Sequence, residues 1–167
     1  MTVDQDQDQD DRKRQGLRRT LGSARSFLLG AISFVLIIRH SFSLSFLERM
    51  TLVSATPGKL ICEMRVEDDH ANKFGTLHGG MIATLVDNVS TLALVSTERG
   101  APGVSVDMNI TYVAPAKIGE DIVITAHVLK EGKTLAFTSV DVTKKATGKL
   151  IAQGRHTKHL GNQNTTA

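Results

Sequence analysis

The segment from Asn72 to Asp87 reads N-K-F-G-T-L-H-G-G-M-I-A-T-L-V-D and combines reactive polar groups with glycines and an apolar run. A carboxylate such as that of Asp87 can serve as a general base or as a nucleophile. Gly79 and Gly80 open the apolar run, and the first N–H groups of a helix have no partner inside it, so they can hold an oxyanion. We therefore expect the chemistry in this segment.

The apolar residues after Gly80 predict the helix that positions these groups. From Met81 to Val95 they leave almost no polar face, which is typical of a buried helix. Asp87 is anomalous there, because a buried acid is paired or used and its sequence neighbours offer no partner. At ~1.5 Å rise per residue, Asp87 lies roughly 12 Å from Gly79, too far for both to touch one carbonyl. A second subunit could close that gap.

The rest of the chain from Met50 reads as strands separated by turn residues. A hairpin is predicted first, with its turn at Pro57 and Gly58, and a loop from Glu67 to Gly75 leads to the helix, which ends near Thr97. The predicted strands are Thr51–Val53, Lys59–Val66, Val104–Tyr112, Asp121–Lys130, Thr134–Thr143 and Leu150–His159. Their alternating pattern predicts an antiparallel sheet wrapped around one long helix, an α+β fold.

Composition limits the possible functions. The chain has 167 residues, enough for one domain with an appendage, and a net charge of +3 with one Tyr and no Trp, which argues against nucleic acid as a partner. The single cysteine, Cys62, excludes an internal disulfide and lies in an apolar run, as an inert buried thiol would. His127, His156 and His159 lack an acidic neighbour at ligand spacing, so surface or core positions are expected and no metal site.

The first 49 residues differ from the remainder. An acidic, low-complexity head is followed by a basic stretch and by an apolar run from Phe27 to Ile38. That run is shorter than the ~18 to 20 residues that span a bilayer, so stable membrane insertion is not expected. We predict three parts: a largely disordered extension with a short apolar helix over residues 1–49, a domain over 50–162 and a flexible tail over 163–167.

Several motifs together carry a resemblance to a known family. The motifs G-T-L-H-G-G, L-V-D-N, S-V-D-M-N-I-T-Y and A-P-A-K-I-G-E, in this order of elements, resemble hotdog-fold acyl-CoA thioesterases. The likeness spans roughly residues 50–162 and implies hydrolysis of medium- and long-chain fatty acyl-CoA in lipid metabolism. It implies a homotetramer built as a dimer of dimers, no cofactor besides the CoA of the substrate, and phosphatidylcholine transfer protein as a partner. A cytoplasmic or mitochondrial location is expected.

The resemblance assigns roles to residues of the segment that opens this section and to one strand residue. Asp87 matches the family's general base or nucleophile, and the Gly79 N–H matches its oxyanion donor. Asn72 and His78 match residues that orient the carbonyl or water, and Ser105 matches one that positions water. Taken without the family, Asp87 could pair with a strand, His78 could cap the helix, and Asn72 and Ser105 could be ordinary turn and strand residues.

The resemblance also predicts the residues that contact CoA, along an edge of the sheet. These are Ser105, Asp107, Tyr112, Val113, Ala114, Pro115, Ala116, Lys117, Lys130, Glu131, Gly132, Lys133, Thr134, Leu135 and His159. Lys117, Lys130, Lys133 and Arg155 offer cations for its phosphates. Two other functions stay open: a non-catalytic acyl-CoA sensor or adaptor for a lipid-transfer protein, and a hotdog enoyl-CoA hydratase or dehydratase.

Overall fold

A computed structural model describes residues 49–161 of the chain. The predicted extension over residues 1–49, apart from Arg49, and the predicted tail over 163–167 lie outside these residues, as does the apolar run from Phe27 to Ile38. Within the described range no helix is long and apolar enough to cross a membrane.

Residues 49–161 form one α-helix and six strands. The strands are β1 (Thr51–Thr56), β2 (Lys59–Arg65), β3 (Val104–Tyr112), β4 (Asp121–Glu131), β5 (Leu135–Lys144) and β6 (Leu150–His159). The helix α1 (Gly79–Val95) falls between β2 and β3, and a short 3₁₀ turn (Asp68–His70) lies inside the predicted loop. The predicted α+β class is confirmed, and every predicted strand is present with ends that differ by three residues at most.

All strand pairs are antiparallel and form a single sheet in the order β1-β2-β4-β5-β6-β3. The β1–β2 turn needs a backbone with positive φ, which Gly58 supplies at +73°. The strand β3 follows α1 in sequence but pairs with β6, so it lies at the edge of the sheet. Its position leaves one side of β3 without a strand partner in the described chain.

The core lies between α1 and the sheet. Fully buried side chains of the helix, such as Leu85, Val86 and Val89, meet buried side chains of the inner strands, such as Leu60 and Ile124. Period-2 burial along β4 and β5 places alternate residues against the helix, as the alternating sequence predicts. Cys62 is buried in this core, which confirms the prediction for it, and burial raises the pKa of its thiol to about 12.

Gly154 allows the helix to approach the sheet closely. A Cβ atom at this position of β6 would lie 2.5 Å from Cγ1 of Val86, closer than atoms can pack. Because Val86 precedes Asp87, this close contact brings the Asp87 side chain over β6 and β3. The fold thus sets the distance between the predicted catalytic carboxylate and the strands beside it.

Candidate active site

The start of α1 is organised by the two residues that precede and open it. His78 caps the helix, since its Nδ1 accepts from the Gly80 N–H at 2.9 Å, so in the neutral ring the proton is on Nε2. Tyr112 packs against Gly79, and its hydroxyl donates to the Gly79 carbonyl at 3.1 Å. Within residues 49–161 the Gly79 N–H has no hydrogen-bond acceptor, as the predicted oxyanion donor requires.

The side chain of Asn72 closes the loop before the helix. Its Oδ1 accepts from the backbone N–H of Phe74 at 2.9 Å and of Thr76 at 3.3 Å, and its Nδ2 donates to the Thr76 hydroxyl at 3.0 Å. This is the turn role that Asn and Asp commonly have. One N–H of the amide remains without a partner in the described chain, so Asn72 is also able to donate to a bound group.

Asp87 has polar partners from two strands that its sequence neighbours did not reveal. Its Oδ1 lies 3.4 Å from the Ser105 hydroxyl, 3.7 Å from Nδ1 of His156 and 3.7 Å from Nζ of Lys158. The carboxylate is not fully buried, because 46% of the side chain remains exposed. The sequence neighbours of Asp87 offer it no partner, and the tertiary fold supplies three.

His156 and Lys158 are the residues that sequence reasoning missed. Both are buried on β6, and the Lys158 ammonium donates to the Thr91 hydroxyl at 2.6 Å. Burial lowers the pKa of both side chains, against an opposite effect of Asp87. His156 lies in the core, one of the two positions expected for it, and the acid near it is Asp87, which is distant in the sequence. The available signal was their period of two with Ala152 and Gly154, which puts them on the face of β6 that meets the helix.

The predicted CoA contacts fall into two separate groups. The first group, at the end of β3, comprises Tyr112 and the loop through Lys117. The second group comprises the β4–β5 hairpin over 130–135 and His159. His159 pairs with Leu135 of β5 and with Val104 at the start of β3. Eight residues of β3 separate the groups, roughly 25 Å at the rise of a strand. Ser105 and Asp107 lie with the second group. A single chain therefore does not bring all of them to one place.

Most residues of the two groups are accessible. Ala116 is the exception: its side chain is buried, and its carbonyl accepts from the Leu77 N–H at 2.8 Å. Its observed role is to hold the loop against the segment that leads into α1. The hairpin is held by Arg99, whose guanidinium donates to the carbonyls of Gly132 and Lys133 at 3.0 and 2.9 Å.

Exposed cations accompany both groups. Lys117, Lys130, Lys133 and Arg155 are all at the surface. Within residues 49–161, no three His, Cys, Asp or Glu side chains are grouped as ligands for a metal ion. His127 and His159 reach the surface, whereas His156 is in the core.

Comparison with known proteins identifies the family of the chain. The sequence model of the thioesterase superfamily matches residues 74–151, a range that contains Gly79, Asp87 and Ser105. Acyl-coenzyme A thioesterase 13 from Homo sapiens is 80% identical over 116 residues, which are 70% of this chain and 83% of that protein.

Two solved structures also resemble the chain. Thioesterase superfamily member 2 from zebra fish has 64% identity and a TM-score of 0.72, covering 75% of this chain and 94% of its own. A hypothetical thioesterase from Streptococcus pneumoniae, solved with coenzyme A, has 25% identity and a TM-score of 0.65, covering 70% and 88%. The resemblance stated from the sequence is confirmed: the chain belongs to the thioesterase superfamily and has its hotdog fold.

Proposed function

We propose that this thioesterase hydrolyses medium- and long-chain fatty acyl-CoA to free fatty acid and CoA. The observation that carries the proposal is the Asp87 carboxylate, which is half-exposed on the central helix and faces Ser105 of the edge strand. The names of the similar human protein and of the pneumococcal structure with bound coenzyme A support acyl-CoA as the substrate class.

Asp87 acts as general base or as nucleophile toward the thioester. As a base it takes one proton of a water molecule while the water oxygen bonds to the carbonyl carbon. The carbon–sulfur bond then breaks, and the proton passes to the leaving thiolate, giving a fatty acid and the CoA thiol. As a nucleophile it bonds to the carbonyl carbon and displaces the CoA thiolate, which takes a proton from solvent, and water then hydrolyses the resulting anhydride to the fatty acid and free Asp87. Label from ¹⁸O water that enters Asp87 in a single turnover would indicate the second course.

The Gly79 N–H stabilises the charge that develops on the thioester oxygen. This N–H is at the positive end of the dipole of a 17-residue helix. The His78 cap and the Tyr112 hydroxyl hold the backbone on both sides of it. Such a donor needs no rearrangement when the oxyanion forms.

A second copy of the chain completes the site. Gly79 lies beside Tyr112, at one end of β3, and Asp87 lies beside Ser105, at the other. If two β3 edges pair antiparallel about a two-fold axis, the Tyr112 end of one chain meets the Ser105 end of the other. The oxyanion donor of one subunit then faces the carboxylate of its partner, and the two groups of predicted CoA contacts come together. A further pairing of dimers gives the proposed tetramer.

The exposed apolar residues of β3 support this pairing. Val104, Val106 and Met108 have 71%, 60% and 39% of their surface exposed, although β-strands at a free edge are usually protected from association. Exposed apolar side chains at alternate positions of an edge strand fit a strand from a second copy. Lys117, Lys130, Lys133 and Arg155 then supply positive charge for the CoA phosphates.

A thiol-release assay with acyl-CoA esters of increasing chain length tests the proposal. Free CoA is read with a thiol reagent, and the chain contributes no background because its single cysteine is buried with a raised pKa. We expect turnover that rises toward medium and long chains. Tight binding of acyl-CoA without thiol release would contradict hydrolysis and favour a sensor, and hydration of enoyl-CoA would favour a hydratase.

A further inference from the structure

Four polar contacts form a closed ring that begins and ends at Asp87. The Ser90 hydroxyl lies 3.0 Å from the Asp87 carbonyl oxygen and 2.8 Å from Nδ1 of His156. On the other side of the imidazole, Nε2 lies 2.9 Å from the Ser105 hydroxyl, which in turn lies 3.4 Å from Oδ1 of Asp87. The imidazole is fully buried, whereas Ser105 is exposed and Asp87 half-exposed, so water can reach the contact between these two side chains.

The ring of contacts has more acceptors than protons when His156 is neutral. Each hydroxyl provides one proton and a neutral imidazole provides one, which makes three protons for four contacts. One contact must therefore lack a hydrogen bond, and the longest, between Ser105 and Asp87, is the weakest. In that arrangement Ser90 donates to the Asp87 carbonyl, Nδ1–H of His156 donates to Ser90, and Ser105 donates to Nε2.

We infer that neutral His156, with its proton on Nδ1, is a positioning residue that makes the Ser105 hydroxyl an acceptor toward the attacking water. Because its hydroxyl donates a hydrogen bond to Nε2 of His156, Ser105 presents its lone pairs next to the Asp87 carboxylate. A water molecule between them donates one proton to each, and a lone pair of its oxygen is left for the thioester carbon. This inference rests on the proposed hydrolysis and takes Asp87 as the general base.

Protonation of His156 would reverse this arrangement. An imidazolium supplies a fourth proton and donates to both serines. The Ser105 hydroxyl then donates to the Asp87 carboxylate, which is less able to accept a proton from water. The groups that face His156 are Lys158 on its own strand, Asp87 on α1 and Asp107 on β3. Burial, and next the Lys158 ammonium, lower the pKa of His156, while the two carboxylates raise it less. The imidazole of His156 is accordingly neutral at physiological pH.

Three variants separate this role from a structural one. Ser90→Ala removes the acceptor that holds the proton on Nδ1, and His156→Phe keeps a buried ring of similar size without its nitrogens. Thr138→Val is the matched control, because it removes a buried hydroxyl that donates to the His156 carbonyl at 3.0 Å but does not touch the imidazole. We expect kcat to fall about 10-fold in Ser90→Ala and about 100-fold in His156→Phe, with KM little changed and Thr138→Val near normal.

Two further readouts do not depend on stability. Ring ¹⁵N chemical shifts of His156 in the full-length protein should show the Nδ1–H tautomer. The kcat of the unmodified protein should fall as pH drops below 6.5 toward the lowered pKa of the ring, and this fall should weaken in His156→Phe.

The inference and the proposed function fail in different ways. An Nε2–H ring in a protein with normal turnover overturns the inference alone, as does an equal loss of kcat in Thr138→Val. Absence of thiol release by the unmodified protein from every acyl-CoA overturns the proposed function, whatever the tautomer.

Discussion

At the scale of single residues, the notable group is Lys158, a buried lysine beside a half-exposed acid. Its side chain is 5% exposed, and its ammonium donates to the Thr91 hydroxyl and lies 3.7 Å from Oδ1 of Asp87. Thr91 donates its own proton to the Asp87 carbonyl at 2.7 Å. The lysine and Ser90 thus both act around the same aspartate, one on its side chain and one on its backbone.

Replacing Asp87 by Asn should abolish most hydrolysis and preserve the fold. Asparagine has the same shape and keeps one side-chain oxygen, but it cannot take a proton from water or form an anhydride. We expect kcat to fall about 100-fold or more, with an unchanged unfolding temperature and oligomer mass. Near-normal thiol release by this variant would remove Asp87 from the mechanism.

Lys158→Met should raise stability at pH 7. Burial lowers the pKa of Lys158 below 10.5, so the unfolded chain binds the proton more readily and the charged lysine destabilises the fold below that pH. Met removes the cost of burying the charge, and the Thr91 hydroxyl still donates to the Asp87 carbonyl. The unfolding temperature should rise by a few degrees at pH 7, and the gain should shrink as pH rises toward 10.5.

The control for Lys158→Met is Lys145→Met, for which the opposite sign is expected. A hydrogen bond to Glu63 raises the pKa of Lys145, so this lysine stabilises the fold below pH 10.5 and the contribution is lost as pH rises through the raised pKa. Calorimetry of both variants at pH 7 and 10 checks the signs. A loss of stability in Lys158→Met at pH 7 would contradict the argument.

At the scale of elements, the contact between α1 and β6 determines whether the catalytic groups meet. Gly154 lets the helix lie close enough for Asp87 and Ser90 to reach side chains of β6. The inward positions of β6 are two small residues, Ala152 and Gly154, followed by two polar residues, His156 and Lys158. The small residues thus allow the helix to approach, and the polar residues contact side chains of the helix.

Gly154→Ala should destabilise the fold through Val86. The new methyl group would meet both γ carbons of Val86, at 2.5 and 2.8 Å, and the helix or strand must shift. We expect a loss of about 1–3 kcal/mol in the free energy of unfolding. Denaturant titration measures it, and activity should fall as Asp87 moves.

The double variant with Val86→Ala is the control, because it removes the two γ carbons. Its loss should be smaller than the sum of the single losses by about 0.5–3 kcal/mol. Strict additivity would show that the destabilisation has another origin.

At the scale of the whole molecule, the edge strand β3 divides the site into two halves within each chain. Gly79 and Asp87 lie two turns apart on one helix, so the chain alone cannot use both on one thioester. The proposed dimer therefore has a catalytic purpose as well as a structural one. The cellular location and the lipid-transfer partner remain predictions from the sequence.

Met108→Lys should weaken the assembly and the activity together. A lysine on the β3 edge places a charge where a second copy would pack. Multi-angle light scattering should show a shift to lower mass, and thiol release at the same concentration should fall. Val53→Lys is the matched control, since Val53 is 48% exposed on β1, the opposite edge of the sheet. Loss of assembly in the control alone would place the interface on the other edge.

The local pattern of the sequence predicted the elements and part of the site. The helix start at Gly79, the bounds of β3 and β6 and the turn at Gly58 were all predictable, because apolar periodicity and glycine act over a few neighbouring residues. The same local evidence placed Asp87 and Gly79 on one helix and showed that they are too far apart to act together.

Only the tertiary structure decided which strands lie beside Asp87. His156 and Lys158 are more than sixty residues further along the chain, and the order of strands that puts β6 and β3 next to α1 depends on pairings between distant segments. Such pairings are not encoded in any short stretch of sequence. The partners of Asp87, and the free edge that leaves its site half complete, are for this reason properties of the fold.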